Sequence, residues 1–386
     1  MPSSSQRAGK FLSDHGLDGF LLLGDSLCNL DIYYLSRFLA PDRFALLATA
    51  SSSLSILVSG MEEGRAKKES CADEVVSTSD YGIGEKLARF DRPEEAYVAV
   101  LKEFLRDRGV KKLGVFGDFP VRIYLDLADD FGISVLDSPV REMREVKTPT
   151  EIEAIKYSQR ACEEAMSVAI EMIRRSRPSG EVLVLEGEPL TSERVKSAID
   201  VALLERGCEA EDTIVAGGID AADPHCNGSG PLPADAPIVI DIFPRSKRTR
   251  YFADMTRTVL RGEADEEVVE IYGAVLAAQE AGIAAVRAGA TGSEVHSKVC
   301  EVFEERGYPE REGRGFIHST GHGVGLAVHE RPSLSEVGKT LAENNVVTVE
   351  PGLYYPELGG VRLEDLLVVK EGGCENLTSL EKRLIL

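Results

Sequence analysis

Short apolar runs separated by polar turns dominate the first third of the chain. Runs of this length, bounded by glycine, serine or aspartate, are typical of buried strands. They occur at residues 19–24, 43–50, 54–60, 112–117 and 133–137. A longer stretch with the apolar spacing of a helix lies near residues 93–108. Strands alternating with a helix predict an α/β domain for the N-terminal part of the chain.

The pattern changes to that of a long amphipathic helix near residue 148. Thr148 is a predicted N-cap, Pro149 suits the first helical position, and Glu151 completes a capping box. We therefore predict a domain boundary near residue 145. The N-terminal domain would comprise residues 1–145, and the second domain would comprise residues 146–386.

The second domain contains an internal repeat with an offset of 100 residues. The segment TSERVKSAIDVALLERGC at 191–208 aligns with TGSEVHSKVCEVFEERGY at 291–308. Chance similarity between two amphipathic helices is the alternative explanation. As a duplication, the repeat predicts equivalent helices in two half-domains, with a functional site between the halves.

Composition narrows the functional classes. No run approaches the roughly 20 apolar residues that a membrane span needs, and the start of the chain has no apolar signal-peptide core. The seven cysteines are scattered without a CxxC motif, which suits a reducing cytoplasm. A net charge of −21 argues against nucleic-acid binding. That acidity indicates either solubility alone or carboxylates held together by cations.

Two aspartates flank a predicted hairpin. Asp241 and Asp254 lie on strand candidates around a basic turn whose midpoint falls between Lys247 and Arg248. A hairpin turning there would place the aspartates directly opposite each other, with Cβ atoms about 5 Å apart. Two such charges require a bridging cation or a proton. Two unrelated aspartates on a solvated hairpin are the alternative.

Further acids and a histidine occur in the C-terminal part. Glu350 ends one apolar strand, and Glu364 lies in a second one after a Pro-Gly turn, with Asp365 facing the other way. A buried acid is costly unless it is paired or ligated. His322 lies in GHGVG, where the glycines disfavour a helix. Four carboxylates carry a charge of −4 that two divalent ions would cancel, and one imidazole among oxygens suits Mn, Co, Fe or Zn.

The order of these motifs resembles that of a known family. Asp…Asp-x-Thr-Arg-Thr, Gly-His-Gly-Val-Gly…His-Glu, Glu-Pro-Gly and Arg-x-Glu-Asp are similar to motifs of the pita-bread dinuclear metallopeptidases. This superfamily contains Xaa-Pro dipeptidases (prolidases), Xaa-Pro aminopeptidases, methionine aminopeptidases and the metal-free creatinases. The segment NLDIYYLSRF at 29–38 is similar to the creatinase-type N-terminal domain. The resemblance implies an α+β protein, in which an α/β creatinase-type domain precedes a pita-bread catalytic domain with an internal pseudo-twofold duplication.

The resemblance also implies roles for individual residues. Asp241 would chelate one metal, His322 and Glu350 would bind the second, and Asp254 and Glu364 would bridge both. His225 and His329 resemble the histidines that contact substrate and stabilise the tetrahedral intermediate. Arg362 resembles the arginine that orients a ligand carboxylate. The implied metal ligands are thus Asp241, Asp254, His322, Glu350 and Glu364, and the implied catalytic residues are Glu350, His225, His329 and Arg362.

The expected activity is hydrolysis of the bond between an N-terminal residue and a following proline. A water shared by the two metals would lose its proton and attack the peptide carbonyl, and Glu350 would carry that proton to the leaving nitrogen. The resemblance implies a homodimer. Dipeptidase, aminopeptidase and broader specificity all remain open. An inactive pita-bread binding protein and a creatinase-like hydrolase of small molecules are the alternatives.

Several residues near these motifs have competing interpretations. His318 is either a partner of a ligand or a histidine in a strand, whereas His296 and His15 are expected to be structural or on the surface. The basic tip, Arg245, Lys247, Arg248 and Arg250, is predicted to be a solvated turn, with steering of a substrate carboxylate as the alternative. Asp241-Ile-Phe-Pro departs from the family pattern. The hairpin here also has about two extra residues. Two residues add one pair to the hairpin, so each aspartate is expected to stay on the same face of the sheet, while the rim of the site is reshaped.

Overall fold

The computed structural model describes residues 3–309 and 313–386. The chain divides into two compact units, Met1–Arg144 and Glu145–Leu386. This division lies one residue before the boundary expected from the sequence.

The first unit is built on a mixed six-stranded sheet with strand order β4-β3-β2-β1-β5-β6. Strands β1, β2 and β3 are antiparallel neighbours, whereas β4, β5 and β6 join by parallel pairings. The elements are α1 Ser4–Asp14, β1 Gly19–Gly24, α2 Leu30–Ser36, β2 Phe44–Thr49, β3 Leu54–Val58, α3 Glu63–Glu69, β4 Glu74–Ser77, α4 Ile83–Arg89, α5 Pro93–Asp107, β5 Lys112–Phe116, α6 Val121–Ala128, β6 Gly132–Leu136 and α7 Pro139–Glu145.

The core of this unit explains why the apolar runs became strands. Leu21, Leu57 and Val115 pack with Leu101 and Phe104 of α5 in one buried cluster. The five predicted strands and the predicted helix are all present. The short helices and β4 were not predicted, since most of them span only four to eight residues, too few to show a period clearly.

The part of the second unit that the structure describes combines four long helices with several short-stranded sheets. Its elements are α8 Pro149–Arg175, β7 Arg177–Ser179, β8 Val182–Leu185, β9 Glu188–Pro189, α9 Ser192–Glu205, β10 Cys208–Glu209, β11 Ile214–Gly217, a 3₁₀ turn Gly218–Ala222, β12 Ile238–Ile242, β13 Arg245–Ser246, β14 Met255–Val259, α10 Glu266–Ala285, α11 Gly292–Glu305, β15 Gly321–Gly323, β16 Glu330–Leu334, β17 Val346–Val349, β18 Gly352–Tyr355, β19 Gly359–Arg362, β20 Asp365–Lys370 and β21 Gly373–Asn376.

Two antiparallel sheets carry the segments that later form the site. One has the strand order β11-β12-β14, and the other has the order β16-β15-β17-β20-β21. Strands β18 and β19 pair separately as a hairpin. At the start of the unit, the predicted capping box is present: Thr148 Oγ1 accepts from the Glu151 amide at 3.3 Å, and Glu151 Oε2 accepts from the Thr148 amide at 2.7 Å.

The internal repeat corresponds to two equivalent helices. Helices α9 and α11 each follow a threonine N-cap, Thr191 and Thr291, and each spans 14 residues. Helix α9 packs against α8, and α11 packs against α10. The matched positions Val195 and Val295 are both fully buried. The prediction of a duplicated half-domain is confirmed: the β11-β12-β14 sheet belongs to the first half and the β16-β15-β17-β20-β21 sheet to the second.

One helix among the described residues is long and apolar enough to cross a membrane by length and composition alone. This helix is α10, in which Glu270 and Glu280 interrupt the apolar residues, so it is not a continuous apolar run of about 20 residues. Its Ala, Val and Ile residues raise the mean hydropathy of the helix without forming a continuous apolar run. The same test is passed by core helices, and Val275 and Ala278 of α10 are buried in a cluster with Val299 and Phe303 of α11.

Candidate active site

All eight site residues predicted from the sequence line one cleft in the second unit. The cleft has a volume of about 870 Å³. The predicted residues among its lining are His225, Asp241, Asp254, His322, His329, Glu350, Arg362 and Glu364. They come from both halves of the duplicated unit, since the two aspartates precede α10 and the His322, Glu350 and Glu364 segments follow α11.

The two aspartates share a face but are not directly opposed as predicted. Asp241 pairs with Thr256 across β12 and β14, and Asp254 lies just before β14. The pairing of Asp241 with Thr256 and the backbone bond from the Ser246 amide to Tyr251 centre the hairpin one residue later than the predicted midpoint. A change of two in the register keeps both carboxylates on the same side of the sheet. Asp254 is therefore diagonal to Asp241, and its residue is only 4% exposed.

The two glutamates flank strands of the second sheet. Glu350 directly follows β17, and Glu364 directly precedes β20, whose Asp365 pairs with Val349. The prediction of a Pro-Gly turn joining two strands is wrong, because Gly352 instead begins the extra hairpin β18–β19. Glu364 is only 1% exposed, and its Oε2 accepts a hydrogen bond from Thr256 Oγ1 at 2.8 Å.

His322 lies in β15, as the glycine-rich sequence led us to expect of a non-helical segment. Its Nε2 is 3.1 Å from Glu350 Oε1 and 3.6 Å from Asp254 Oδ2. The flanking glycines are required by packing. A Cβ atom on Gly321 would lie 2.1 Å from the Thr348 carbonyl oxygen, and one on Gly323 would lie 2.3 Å from that of Arg331. These close approaches hold the His322 ring against the carboxylates.

The donor set fits a bound cation. Ligand atoms of Asp254, His322 and Glu364 all lie within 4.8 Å of one another. Asp241 Oδ1 and Glu364 Oε1 are buried and have no hydrogen-bond partner among the described residues. Unsatisfied buried carboxylate oxygens are costly in a protein interior, and a divalent cation would satisfy them. Carboxylates with one imidazole match the ligands that Mn, Co, Fe and Zn accept.

The electrostatics of the cleft support the same interpretation. Burial, together with the neighbouring carboxylates Glu364 and Asp241, holds the pKa of Asp254 well above its ordinary value. Burial and the charges of Glu350 and Asp241 likewise raise the pKa of Glu364. Burial opposes ionisation of Glu350 too, but the hydrogen bond to His322 and the charges of His322, His318 and Arg362 together outweigh burial and lower its pKa to about 2. Without cations, Asp254 and Glu364 would therefore retain protons at pH values where exposed acids have lost them.

All three guanidinium nitrogens of Arg362 donate hydrogen bonds to oxygens of the protein. Its Nη2 donates to Asp241 Oδ2 at 2.7 Å, its Nη1 donates to the Tyr354 hydroxyl at 2.9 Å, and its Nε donates to Thr256 Oγ1 at 3.2 Å. The side chain is almost fully buried. In this structure the carboxylate that Arg362 orients is therefore that of Asp241.

The non-ligand histidines lie around the carboxylates. The ring of His329 packs edge-on against that of His322, with centroids 4.3 Å apart. Burial and the neighbouring His322 lower the pKa of His329, so a neutral ring is favoured near pH 7. The adjacent Glu330 forms an ion pair with Lys147 at 2.8 Å, which anchors the segment carrying His329. His225 is exposed on the loop after the 3₁₀ turn.

His318 also lines the cleft and does not lie in a strand. Its Nε2 is 2.9 Å from the Tyr354 hydroxyl, which in turn accepts from Arg362. Sequence reasoning missed Tyr354 and also Thr348, whose hydroxyl accepts from the His322 amide and donates to Glu350. Both occupy ordinary positions in apolar strands, and nothing in the sequence alone distinguishes them.

The basic tip is less solvated than predicted. Arg245, Lys247 and Arg250 all form ion pairs with Glu209, at 2.9, 3.4 and 3.3 Å. Arg250 is buried, and of the four only Lys247 and Arg248 remain exposed. Pairing of β13 with β10 brings Glu209 to the tip, a contact that local sequence could not indicate.

Comparison with known proteins identifies the family. Residues 153–371, more than half of the chain, match the model of Metallopeptidase family M24. The chain belongs to this family. Residues 5–146 match the Creatinase/Prolidase N-terminal domain. The M24 chain is also 30% identical to the Xaa-Pro dipeptidase of Pyrococcus horikoshii, over 97% of both chains.

Solved structures agree with this assignment. The Xaa-Pro dipeptidase from Bacillus anthracis superimposes with a TM-score of 0.82 at 26% identity, over 99% of each chain. The X-Pro aminopeptidase from Thermotoga maritima gives 0.79 at 29% identity, over 96% of this chain and 98% of that one. The predicted family and the α+β fold class are confirmed. The chain is a metal-dependent hydrolase of the M24 family with a creatinase-type N-terminal domain.

Proposed function

We propose that this enzyme hydrolyses the bond between an N-terminal residue and a following proline in short peptides. Two observations support the proposal. The five implied ligands converge in one cleft, and the similarity to an Xaa-Pro dipeptidase extends over nearly the whole of both chains. The order of the ligands along the chain matches that of the family. The buried oxygens of Asp241 and Glu364 that lack hydrogen-bond partners among the described residues would be satisfied by cations.

The proposed cofactor is a pair of divalent ions, drawn from Mn, Co, Fe or Zn. Asp241 would chelate one ion, His322 and Glu350 the other, and Asp254 and Glu364 would bridge them. When bound, such ions supply the charge that these carboxylates lack and a water acidic enough to lose its proton near neutral pH. His322 would present Nε2, since its Nδ1 lies 3.2 Å from the Gly323 carbonyl oxygen and can donate to it.

The protein groups divide the remaining chemistry. Glu350 would take up the proton of the attacking water and return it to the proline nitrogen as the peptide bond breaks. His225 and His329 would donate hydrogen bonds to the oxygen on which negative charge develops. Arg362 would hold Asp241 in place through the hydrogen bond from its Nη2. The buried Thr256 and Thr348 hydroxyls fix the two glutamates.

Purified protein tests the proposal directly. With Mn²⁺ or Co²⁺ supplied, it should cleave Xaa-Pro peptides, and metal analysis should find close to two ions per chain. Asp254→Asn and His322→Ala should lose both activity and stoichiometric metal while keeping the circular-dichroism spectrum. A metal-free, inactive but folded wild-type protein would favour the binding-protein alternative. Cleavage of small amidines in place of peptides would favour the creatinase-like one.

We further propose the division into a creatinase-type domain, 1–145, and a catalytic domain, 146–386, and a homodimer acting in the cytoplasm. All seven cysteines are free, which is compatible with a reducing compartment. The dimer rests on the resemblance, and sedimentation analysis of the purified protein should give twice the chain mass of 41.9 kDa.

A further inference from the structure

The substrate of an Xaa-Pro peptidase carries its next chemical group very close to the reacting bond. In a free dipeptide, that group is the terminal carboxylate, which is three bonds from the scissile carbonyl carbon. In a longer peptide, the same atoms form a neutral peptide bond. Whatever pose the substrate adopts, this group must therefore enter the cleft with the scissile bond. The charge of the cleft lining then decides which kind of substrate is favoured.

The lining of the cleft is rich in acids and poor in free cations. Among the described residues that line it, the acids are Asp212, Asp241, Asp254, Glu350 and Glu364. Four of them would be balanced by two divalent ions, and the fifth, Asp212, is exposed on the rim. Arg362 is the one arginine in this described lining, and no lysine belongs to it.

Arg362 is poorly placed to receive a substrate carboxylate. Each of its three guanidinium nitrogens already donates to a protein oxygen, and Nη1 has a second, longer contact of 3.4 Å with the Pro224 carbonyl. Turning it toward substrate would leave Asp241 without its partner in a buried setting, which is strongly unfavourable. His329 packs edge-on against the His322 ring, with centroids 4.3 Å apart, so that ring rather than open space occupies one side of it.

The remaining lining suits a neutral, partly polar group. Asn227 and Ser319 offer uncharged hydrogen-bonding atoms, and Ile214, Phe243 and Ile317 offer apolar surface. An amide can satisfy its N–H and C=O groups against such partners. An ionised carboxylate would be left uncompensated there.

We propose that this cleft selects peptides that continue beyond the proline and discriminates against free Xaa-Pro dipeptides. The enzyme is then an aminopeptidase for Xaa-Pro-Yaa peptides, and the cause is the missing counter-charge for a terminal carboxylate. The inference rests on the proposed Xaa-Pro activity and adds the substrate length. Relatives with both names, Xaa-Pro dipeptidase and X-Pro aminopeptidase, are similar to the chain over nearly its whole length, so family membership leaves this choice open.

Three substrates of matched sequence test the proposal on the full-length, Mn²⁺-loaded enzyme. They are Ala-Pro, Ala-Pro-NH₂ and Ala-Pro-Ala. The first two have nearly the same size and shape and differ chiefly in the charge of the terminal group. We expect kcat/KM for the amide and for the tripeptide to exceed that for Ala-Pro by at least about tenfold. Asp254→Asn, purified in the same way, is the control for contaminating peptidases and should cleave none of the three.

A binding measurement separates recognition from turnover. Analogues of Ala-Pro and Ala-Pro-NH₂ with a reduced scissile bond cannot be hydrolysed, and calorimetry should find the amide bound about tenfold more tightly. Equal or better use of Ala-Pro, or equal affinity for the two analogues, would overturn the preference while leaving the Xaa-Pro activity intact. Failure to cleave any of the three peptides would instead overturn the proposed function itself.

Discussion

Glu364 and Asp365 are consecutive acids, each 1% exposed, yet their surroundings are opposite. Asp365 faces away from the cleft, where it accepts from Arg257 at 3.0 Å and from Lys382 at 2.6 Å. Glu364 faces Asp254 and has one buried oxygen without a hydrogen-bond partner among the described residues. One acid is thus satisfied by the protein, and its neighbour is not.

This difference separates a structural acid from a functional one. Burial is equal at the two positions, so burial alone carries no information about function. The informative property is the counter-charge. Where the chain supplies Arg257, the acid stabilises the fold, and where it supplies further acids, the fold depends on an ion from solution.

The largest expected effect comes from neutralising the functional acid. Glu364→Gln should lower kcat/KM by at least about 1000-fold, because a bridging ligand of both ions is lost. The metal-free variant should nevertheless be as stable as metal-free wild type, or about 1 kcal/mol more stable, since a repelling buried charge is removed. Metal analysis and urea unfolding with a chelator measure the two effects. A large loss of stability without metal would mean that Glu364 is structural.

Removing the structural acid should give the reverse result. Asp365→Ala leaves Arg257 buried without its carboxylate, and we expect the free energy of unfolding to fall by about 3–5 kcal/mol. Metal content per folded molecule should stay near the wild-type value. Urea unfolding and metal analysis of the folded fraction check this. Loss of metal without loss of stability would break the comparison, because Asp365 would then belong to the site.

The pH dependence of the free energy of unfolding offers a third test, made on protein kept free of metal by a chelator. The pKa values of Asp254 and Glu364 are raised in the folded state, so the folded chain binds more protons than the unfolded chain above about pH 4.5. The free energy of unfolding should therefore fall as pH rises through the window above that value. Glu350 contributes in the opposite sense, because its pKa of about 2 gives stability that is lost only below about pH 4.5.

Bound ions should remove most of this fall in the free energy of unfolding with rising pH, since they replace the protons on Asp254 and Glu364. Unfolding in urea at pH 5, 6, 7 and 8, with Mn²⁺ or with chelator, measures the difference. Glu364→Gln serves as the control and should flatten the curve obtained with chelator. Identical pH dependence with and without Mn²⁺ would show that the cluster does not hold the ions.

The smallest expected effect concerns Lys382, the second cation that contacts Asp365 beside Arg257. Lys382 binds Asp365 but is partly exposed, so solvent screens its contribution. Lys382→Met should cost about 1 kcal/mol of stability, well below the cost of Asp365→Ala. Activity should be unchanged. Thermal unfolding at low and high salt tests this, because a screened pair weakens as salt rises.

Local sequence predicted much of the fold because apolar period and capping are local properties. The Thr148 capping box, the strands around Leu21 and Leu57, and the repeat of α9 and α11 all fall into this class. Register depends on contacts across the chain. The hairpin between Asp241 and Asp254 turned one residue later than its midpoint, and the insertion of β18–β19 between Glu350 and Glu364 was missed.

The residues that line the site were more predictable than the residues that hold them in place. Acids in apolar strands and a histidine between glycines are visible in the sequence, and all eight predicted residues line the cleft. Tyr354, which links His318 to Arg362, was not visible, because a tyrosine in an apolar strand is usually core. The pairing of Glu209 with the basic tip likewise required the tertiary structure.

The hundred-residue spacing of the two helices has a mechanical consequence. Residues 241 and 254 come from one half and residues 322, 350 and 364 from the other, so shared ions would tie together segments far apart in the chain. Ions that bind only the folded chain stabilise it by mass action and leave the unfolded chain unrestricted. Removing them with a chelator should therefore weaken the contact between the two halves of the second unit.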